Sequence, residues 1–151
     1  MEDLTYVTYC GLYCKLCDNL ARIPQQASSL HKTLQKGGWE YFGSHIMSGF
    51  KEFWAGLEQL IQVDSKFKGC RGGECGDPGC NIRQCAQSRH IELCSSCDDY
   101  PCNHIHKLAK RYPNLIADGT RQKEVGSNKW IQEQEARCET GFCYCDIRYD
   151  P

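Results

Sequence analysis

The sequence lacks the long apolar run that a membrane-spanning helix requires. Such a helix needs about 20 consecutive apolar residues, and no stretch of this 151-residue chain approaches that length. The amino terminus carries Glu2 and Asp3, where a secretory signal would have basic residues followed by an apolar stretch. We therefore expect no membrane association and a cytoplasmic location.

Neither sign of charge is in excess. The chain has 18 Lys and Arg against 19 Asp and Glu, which gives a formal net charge of −1. Binding to nucleic-acid phosphates requires a surplus of Lys and Arg on one face. Nucleic acid is therefore a possible partner but not a favoured one, and a protein partner is also possible.

Familiar catalytic patterns are missing as well. The glycine-rich stretch from Gly69 to Gly79 lacks the Gly-Lys-Ser/Thr ending of a phosphate-binding loop. No cysteine stands with a histidine and a carboxylate in a pattern typical of nucleophilic catalysis. Asp98 and Asp99 beside Cys97 could assist a zinc-bound water, but an acidic turn that caps the following helix explains them better. No catalytic residue is predicted, and the sequence favours a non-catalytic protein over an enzyme.

Alternating strand patterns are scarce, and the regular patterns are helical. Apolar residues recur at steps of three and four, which is typical of helices with one buried face. Helices are predicted over four ranges, about 24–36, 48–63, 101–112 and 120–136. Residues 69–81 contain too much glycine and proline for a helix or a central strand, so we expect a loop there.

Cysteine, by contrast, is abundant, with 13 residues in 151. A disulfide framework explains this number poorly, because the count is odd, the cytosol keeps thiols reduced, and a chain this long can bury a core without covalent staples. All thirteen cysteines are therefore candidate metal ligands. They form an N-terminal group (Cys10, Cys14, Cys17), a middle group (Cys70, Cys75, Cys80, Cys85, Cys94, Cys97, Cys102) and a C-terminal group (Cys138, Cys143, Cys145).

The spacing within two of these groups favours a tetrahedral metal. Cys94-Ser-Ser-Cys97 and Cys14-Lys-Leu-Cys17 each have two intervening residues, so that a tight turn can point both sulfurs at one ion. Thirteen thiols suffice for three sites of four cysteines with one left over. Two or three zinc ions are predicted, and the pairing of cysteines is left open.

Other metal and thiol chemistry fits the same residues. Four thiolates bind iron as well as zinc, so an iron–sulfur or thiol-redox protein is the alternative, and a zinc-dependent hydrolase is the third. The spacing of Cys10, Cys14 and Cys17 also matches that of radical enzymes that use S-adenosylmethionine. This chain is too short for their large barrel and lacks its alternating strands and helices.

Several motifs together resemble a known family. The motifs are Cys10-Gly-Leu-Tyr-Cys14-x-x-Cys17, Cys80-Asn-Ile-Arg-x-Cys85-Ala, Cys94-x-x-Cys97-Asp-Asp-Tyr-Pro-Cys102 and Trp130-Ile-Gln-Glu-Gln-Glu. They are similar to a family of uncharacterised cysteine-rich proteins of bacteria and archaea, a domain of unknown function. The resemblance implies a small zinc-binding cytoplasmic domain with no known activity. It implies metal ligation by Cys10, Cys14, Cys17, Cys85, Cys94, Cys97 and Cys102.

The chain departs from the family pattern in two places. Cys70 and Cys75 lie five residues apart, where family members commonly have a closer pair. After the last helix, family members tend to have a short ribbon of the Cys-x-x-Cys type. This chain has Cys138, Cys143 and Cys145 there, with no second pair. A metal bound by these three cysteines would need a ligand from elsewhere.

The prediction is a mostly α fold with little β, in which helices surround irregular loops organised by metal. A single cysteine-rich domain is expected over residues 1–151, with a helical insert at about 18–69. A cysteine-dense loop region follows at about 70–102, then a C-terminal helix and cysteine tail at about 114–151. The predicted function is structural zinc binding in a non-catalytic interaction module.

Overall fold

Helices dominate the computed structural model, which describes residues 3–73 and 75–148. This part of the chain has eight α-helices and one isolated β-bridge, between Val7 and Tyr13. The helices are α1 (Asp18–Ala21), α2 (Ile23–Lys36), α3 (Trp39–Ile46), α4 (Phe50–Ile61), α5 (Asn81–Ser88), α6 (Asn103–Ala109), α7 (Leu115–Val125) and α8 (Ser127–Glu139). The predicted mostly helical fold with little β is confirmed.

The chain divides into two compact units. One unit is formed by the chain up to Cys17 and again from Lys68 onward, and the other by Asp18–Phe67. The second unit contains no cysteine. All the candidate ligands therefore belong to the first unit.

The second unit is a group of helices with an apolar core. Ala27 and Leu34 of α2 and Leu57 of α4 are buried together, as the helical spacing of apolar residues predicts. Phe50, at the start of α4, packs its ring against Trp39 and Trp54. The helices predicted at about 24–36 and 48–63 are confirmed as α2 and α4.

Two helices of this unit, α1 and α3, were not predicted. Gly37 and Gly38 indicated an interruption, but α3 begins directly after them. Gly38 has a φ of 78°, a left-handed conformation that glycine adopts at little cost. The glycine pair therefore turns the chain from one helix into the next.

The core of the first unit draws on distant parts of the sequence. Its buried residues are Leu4, Val7, Tyr13, Leu16, Leu93, Ile105, Tyr112, Leu115, Trp130 and Tyr144. Trp130 is completely buried, and the Tyr13 ring meets it edge to face with centroids 6.0 Å apart. The amino-terminal segment is thus held between middle and C-terminal elements.

The C-terminal helical region is two helices, and the predicted single helix at about 120–136 is wrong. Gly126, with φ 78° and ψ 160°, separates α7 from α8. These dihedrals are not helical, and only glycine adopts them readily. Across the two helices, Arg137 donates hydrogen bonds of 3.0 and 3.2 Å to the Asp118 carboxylate.

Two differences concern the middle of the chain. The helix α5 was not predicted, because it is only eight residues long and follows the glycine-rich loop directly. The helix predicted from Pro101 begins two residues later as α6. The loop predicted over 69–81 is confirmed up to Cys80 in its described residues.

Among the helices of the described ranges, none combines the length and the apolar character needed to cross a bilayer.

Candidate metal centre

The first Cys-x-x-Cys pair lies on a tight turn. Cys14–Leu16 form one turn of 3₁₀ helix, and Cys17 follows in extended conformation with φ −75° and ψ 144°. The Cys17 N–H donates to the Cys14 carbonyl at 3.0 Å, and the Cys14 N–H donates to the Tyr6 carbonyl at 2.7 Å. The pair is therefore held in place by backbone hydrogen bonds.

The second pair repeats this conformation closely. Cys94–Ser96 form a 3₁₀ turn, and Cys97 is extended with φ −75° and ψ 140°. The Cys97 N–H donates to the Cys94 carbonyl at 3.0 Å, and the Cys94 N–H donates to the Tyr9 carbonyl at 2.8 Å. Because Tyr9 directly precedes Cys10, this last bond ties the second pair to the N-terminal cysteines.

Arg71 fastens the glycine-rich loop to the same region. Its Nε donates to the carbonyls of Leu4 at 3.0 Å and Val7 at 2.8 Å, and its Nη2 donates to the Glu92 carbonyl at 2.8 Å. The guanidinium also stacks 4.6 Å from the centroid of the Tyr9 ring. One side chain thereby joins the loop to the segments that precede both Cys-x-x-Cys pairs. Sequence reasoning did not single out Arg71.

Loop cysteines and N-terminal cysteines are neighbours. Burial is the main cause that raises the pKa of the Cys14 thiol to about 12, and the nearby thiols of Cys75, Cys17 and Cys70 add to it. The backbone N–H of Cys70 donates a hydrogen bond to the Cys14 sulfur. We name Cys14, Cys17, Cys70 and Cys75 the first thiol group.

A second neighbourhood surrounds Cys94. Burial is again the main cause that raises the pKa of Cys94 to about 12, followed by the thiols of Cys10, Cys102, Cys85 and Cys97. Cys85 is on α5, and Cys102 directly precedes α6. We name Cys85, Cys94, Cys97 and Cys102 the second thiol group.

Cys10 lies near members of both groups. Burial raises its pKa to about 12, the Thr8 hydroxyl lies 3.1 Å from its sulfur and opposes that rise, and Cys70 and Cys80 add to it. Cys94 is a neighbour of Cys10 as well. Cys10 and Cys80 are therefore available to complete or bridge the groups.

A buried cation accompanies the first thiol group. Arg83 is only 4% exposed, and its Nη2 donates to the carbonyls of Asp77 at 3.0 Å and Pro78 at 2.7 Å. Its Nη1 is buried with no hydrogen-bond partner among the described residues. Partial desolvation of its sulfur raises the pKa of the Cys75 thiol although the residue is largely exposed, Cys70 and Cys80 add to this rise, and the Arg83 charge opposes it. Sequence reasoning did not identify Arg83 as part of the site.

The three C-terminal cysteines occupy α8 and the turn after it. Burial raises the pKa of Cys138, which lies beside Glu135 and Lys15. Cys143 is buried and Cys145 is exposed, and their sulfur atoms are 3.1 Å apart.

The donor side chains of the described residues lie too far apart to hold a metal ion as they stand. Within residues 3–73 and 75–148, no three His, Cys, Asp or Glu side chains lie close enough together to hold one ion. None of the thirteen cysteines is in a disulfide. The donor chemistry nevertheless fits a soft metal, since each group offers four sulfurs, the ligands that zinc and iron–sulfur clusters prefer.

The structure thus describes a mostly helical, cysteine-rich protein whose first unit gathers thiols from distant segments. The chain belongs to the family described as Protein of unknown function (DUF3795), whose model matches residues 6–107. The family resemblance found in the sequence is confirmed at this level by the motifs between Cys10 and Cys102, whereas the motif that begins at Trp130 lies outside the matched residues. No curated protein and no solved structure matches the chain.

The limits of the family match divide the cysteines. Both thiol groups, together with Cys10 and Cys80, lie within residues 6–107, whereas Cys138, Cys143 and Cys145 lie beyond that range. The C-terminal cysteines therefore lie outside the part of the chain that the family model matches.

Proposed function

We propose that this protein binds two zinc ions, one in each thiol group, and that the ions organise its first unit. The observation that carries this proposal is the proximity of cysteines from separate segments: the thiols of Cys75, Cys17 and Cys70 lie near Cys14, and those of Cys10, Cys102, Cys85 and Cys97 lie near Cys94. Four sulfurs are the complement of a structural zinc site.

The surroundings of these thiols favour a bound cation. A buried thiol resists ionisation because the low-dielectric interior disfavours the thiolate. The thiols of Cys14 and Cys94 are of this kind. A metal ion reverses this balance, since its positive charge stabilises the thiolates that ligate it.

The loop between Lys68 and Asn81 explains why the metal would be structural. Gly72, Gly73 and the described residues 75–79 are exposed, so the loop buries little apolar surface of its own. Structural zinc supplies about 10–16 kcal/mol of apparent binding free energy in small zinc-binding peptides. Zinc held by the loop and by the two Cys-x-x-Cys turns would replace the missing core.

Closed sites of four thiolates also bear on activity. A catalytic zinc ion keeps one coordination position for water, whereas a site with four protein ligands has none. We therefore propose a non-catalytic role for both ions.

The first experiment is elemental analysis, with an absorption spectrum, of full-length protein purified under anaerobic conditions without an immobilised-metal column. Two zinc ions per chain and no visible absorbance support the proposal. Iron and sulfide with a visible band that bleaches on reduction would establish the iron–sulfur alternative. Protein without bound metal would contradict both.

Substitutions then test the grouping. C17S and C97S should each lose one zinc ion of the two, because each removes one ligand from a different thiol group. C138S is the matched control, since Cys138 is also half-buried but lies outside both groups, and it should keep both ions. If C138S loses zinc while C17S and C97S keep both ions, the assignment of ligands to the two thiol groups is wrong.

A further inference from the structure

Apart from the zinc proposal, we infer that Cys143 and Cys145 form a reversible redox pair that a hydroperoxide converts to a disulfide. Their sulfur atoms lie 3.1 Å apart. This pair lies outside both thiol groups, and the inference does not depend on whether those groups hold metal.

The sulfur separation of 3.1 Å lies between the length of a disulfide bond and the distance between two sulfurs on one zinc ion. Two sulfurs bound to one tetrahedral zinc ion at about 2.3 Å are about 3.8 Å apart. A disulfide bond is about 2.05 Å long. Cys143 and Cys145 therefore need to approach by about 1 Å to bond, whereas binding to one zinc ion would require them to separate.

The turn that carries the pair is firmly anchored. Tyr144, between the two cysteines, is 1% exposed, and its hydroxyl oxygen accepts a hydrogen bond from the Tyr13 N–H at 2.9 Å. The Asp146 carboxylate accepts a hydrogen bond from the Cys143 N–H at 3.0 Å, and the Asp146 N–H donates to the Cys143 sulfur. Little conformational entropy remains to be lost when the sulfurs join.

The two sulfurs differ in access. Cys145 is exposed, whereas Cys143 is fully buried. This arrangement is typical of a thiol that reacts with an oxidant beside a resolving thiol that does not. An oxidant from solution reaches Cys145 first.

The chemistry balances in two steps. The Cys145 thiolate attacks one oxygen of the hydroperoxide, the O–O bond breaks, and Cys145 becomes a sulfenic acid while the peroxide leaves as an alcohol or water. The Cys143 sulfur then attacks the sulfenic sulfur, an S–S bond forms, and the hydroxyl leaves as water with the Cys143 proton. The pair loses two electrons, and the hydroperoxide gains them. A thiol reductant reverses the reaction through a mixed disulfide.

The test uses the full-length protein as purified, with any bound metal retained. It is treated with one equivalent of hydrogen peroxide, blocked with N-ethylmaleimide, and cleaved after Glu139 and Arg148. Peptide 140–148 contains Cys143 and Cys145 but not Cys138. The expected result is a loss of two hydrogen atoms from this peptide and no alkylation, both reversed by a phosphine reductant.

Matched variants decide the interpretation. C145S should abolish the change in peptide 140–148, and C138S should leave it intact. The inference is overturned if both thiols remain open to alkylation after peroxide, if Cys145 passes directly to sulfinic acid, or if C145S loses a whole zinc ion. Zinc content is measured on the same samples, which keeps the two claims separate. If the purified protein holds no metal but still forms the Cys143–Cys145 disulfide, the zinc proposal fails and the redox inference stands.

Discussion

The hydroxyl oxygen of Tyr144 accepts a hydrogen bond of 2.9 Å from the backbone N–H of Tyr13, across 131 positions of sequence. The same Tyr13 donates through its own hydroxyl to Glu135, and Glu135 also pairs with Lys15 at 2.6 Å. The N-terminal segment that carries Cys10, Cys14 and Cys17 is therefore positioned by residues beyond the limit of the family match.

Removing this hydroxyl should weaken the first unit. In Y144F the buried Tyr13 N–H loses its acceptor, and an unsatisfied buried donor costs about 1–3 kcal/mol. Denaturant unfolding of the full-length chain measures the loss. Y41F removes a hydroxyl from a tyrosine that is 88% exposed and should leave stability unchanged. Equal stability of Y144F and Y41F would show that the bond contributes nothing.

The ion pair between α7 and α8 gives a second prediction. Asp118 is 8% exposed and accepts hydrogen bonds from Arg137 and from the Asn114 side chain. D118N should cost about 2 kcal/mol, since it weakens hydrogen bonds between charged groups that are shielded from water.

The exposed pair between Arg121 and Glu133, at 2.6 Å, is the control for D118N. E133Q should cost clearly less stability than D118N, and its effect should shrink as salt is added. Thermal melts at low and high salt separate the two cases. If E133Q and D118N lower the thermal stability equally, burial does not set the strength of the pair between Asp118 and Arg137.

Arg83 gives a prediction that rests on the zinc proposal. Its buried charge lies beside Cys75 of the first thiol group, and its Nη1 has no partner in the described part of the chain. We expect R83M to weaken zinc binding by about tenfold or more, as the loss of outer-sphere partners commonly does. Competition with a coloured chelator measures the change.

Arg121 provides the matched control for Arg83. It is exposed and pairs with Glu133 at 2.6 Å, so R121M should release zinc as the unchanged protein does. Equal zinc retention in R83M and R121M would mean that the Arg83 charge does not support the site.

Two helical glycines in the second unit should respond oppositely to alanine. A Cβ on Gly43 would lie 2.6 Å from Cζ of the buried Phe50 ring, whereas a Cβ on Gly56 meets nothing within 4 Å. G43A should therefore cost about 1–3 kcal/mol through overpacking. G56A should stabilise by about 0.5–1 kcal/mol, since alanine loses less backbone entropy in a helix. Tryptophan fluorescence during unfolding reports on this unit through Trp39 and Trp54, and a stable G43A would contradict the crowding.

Helices with a long periodic apolar face could be predicted from the sequence. Both α2 and α4 have such a face, and hydrophobic burial of that face forms them. The short helices α3 and α5 carry too little periodicity, and the glycines before them suggested an end rather than a beginning. Local sequence preference alone is too weak to form these helices, and packing against the rest of the fold stabilises them.

The site was predictable only in part. A Cys-x-x-Cys turn is local, so its geometry follows from four residues. The membership of each thiol group depends instead on where the loop lies, and this depends on Arg71 reaching the carbonyls of Leu4 and Val7. Backbone carbonyls are present at every residue, so no sequence pattern indicates which ones an arginine will bind.

The bond between Tyr13 and Tyr144 also constrains the order of events during synthesis. The ribosome makes the N-terminal segment long before Trp130 and Tyr144, which pack with Tyr13 in one core. The second unit has all of its core residues earlier in the chain and can fold while translation continues. Until Trp130 and Tyr144 have been synthesised, the first cysteines lie in a segment that lacks these core contacts, exposed to whatever metal or oxidant the nascent chain meets.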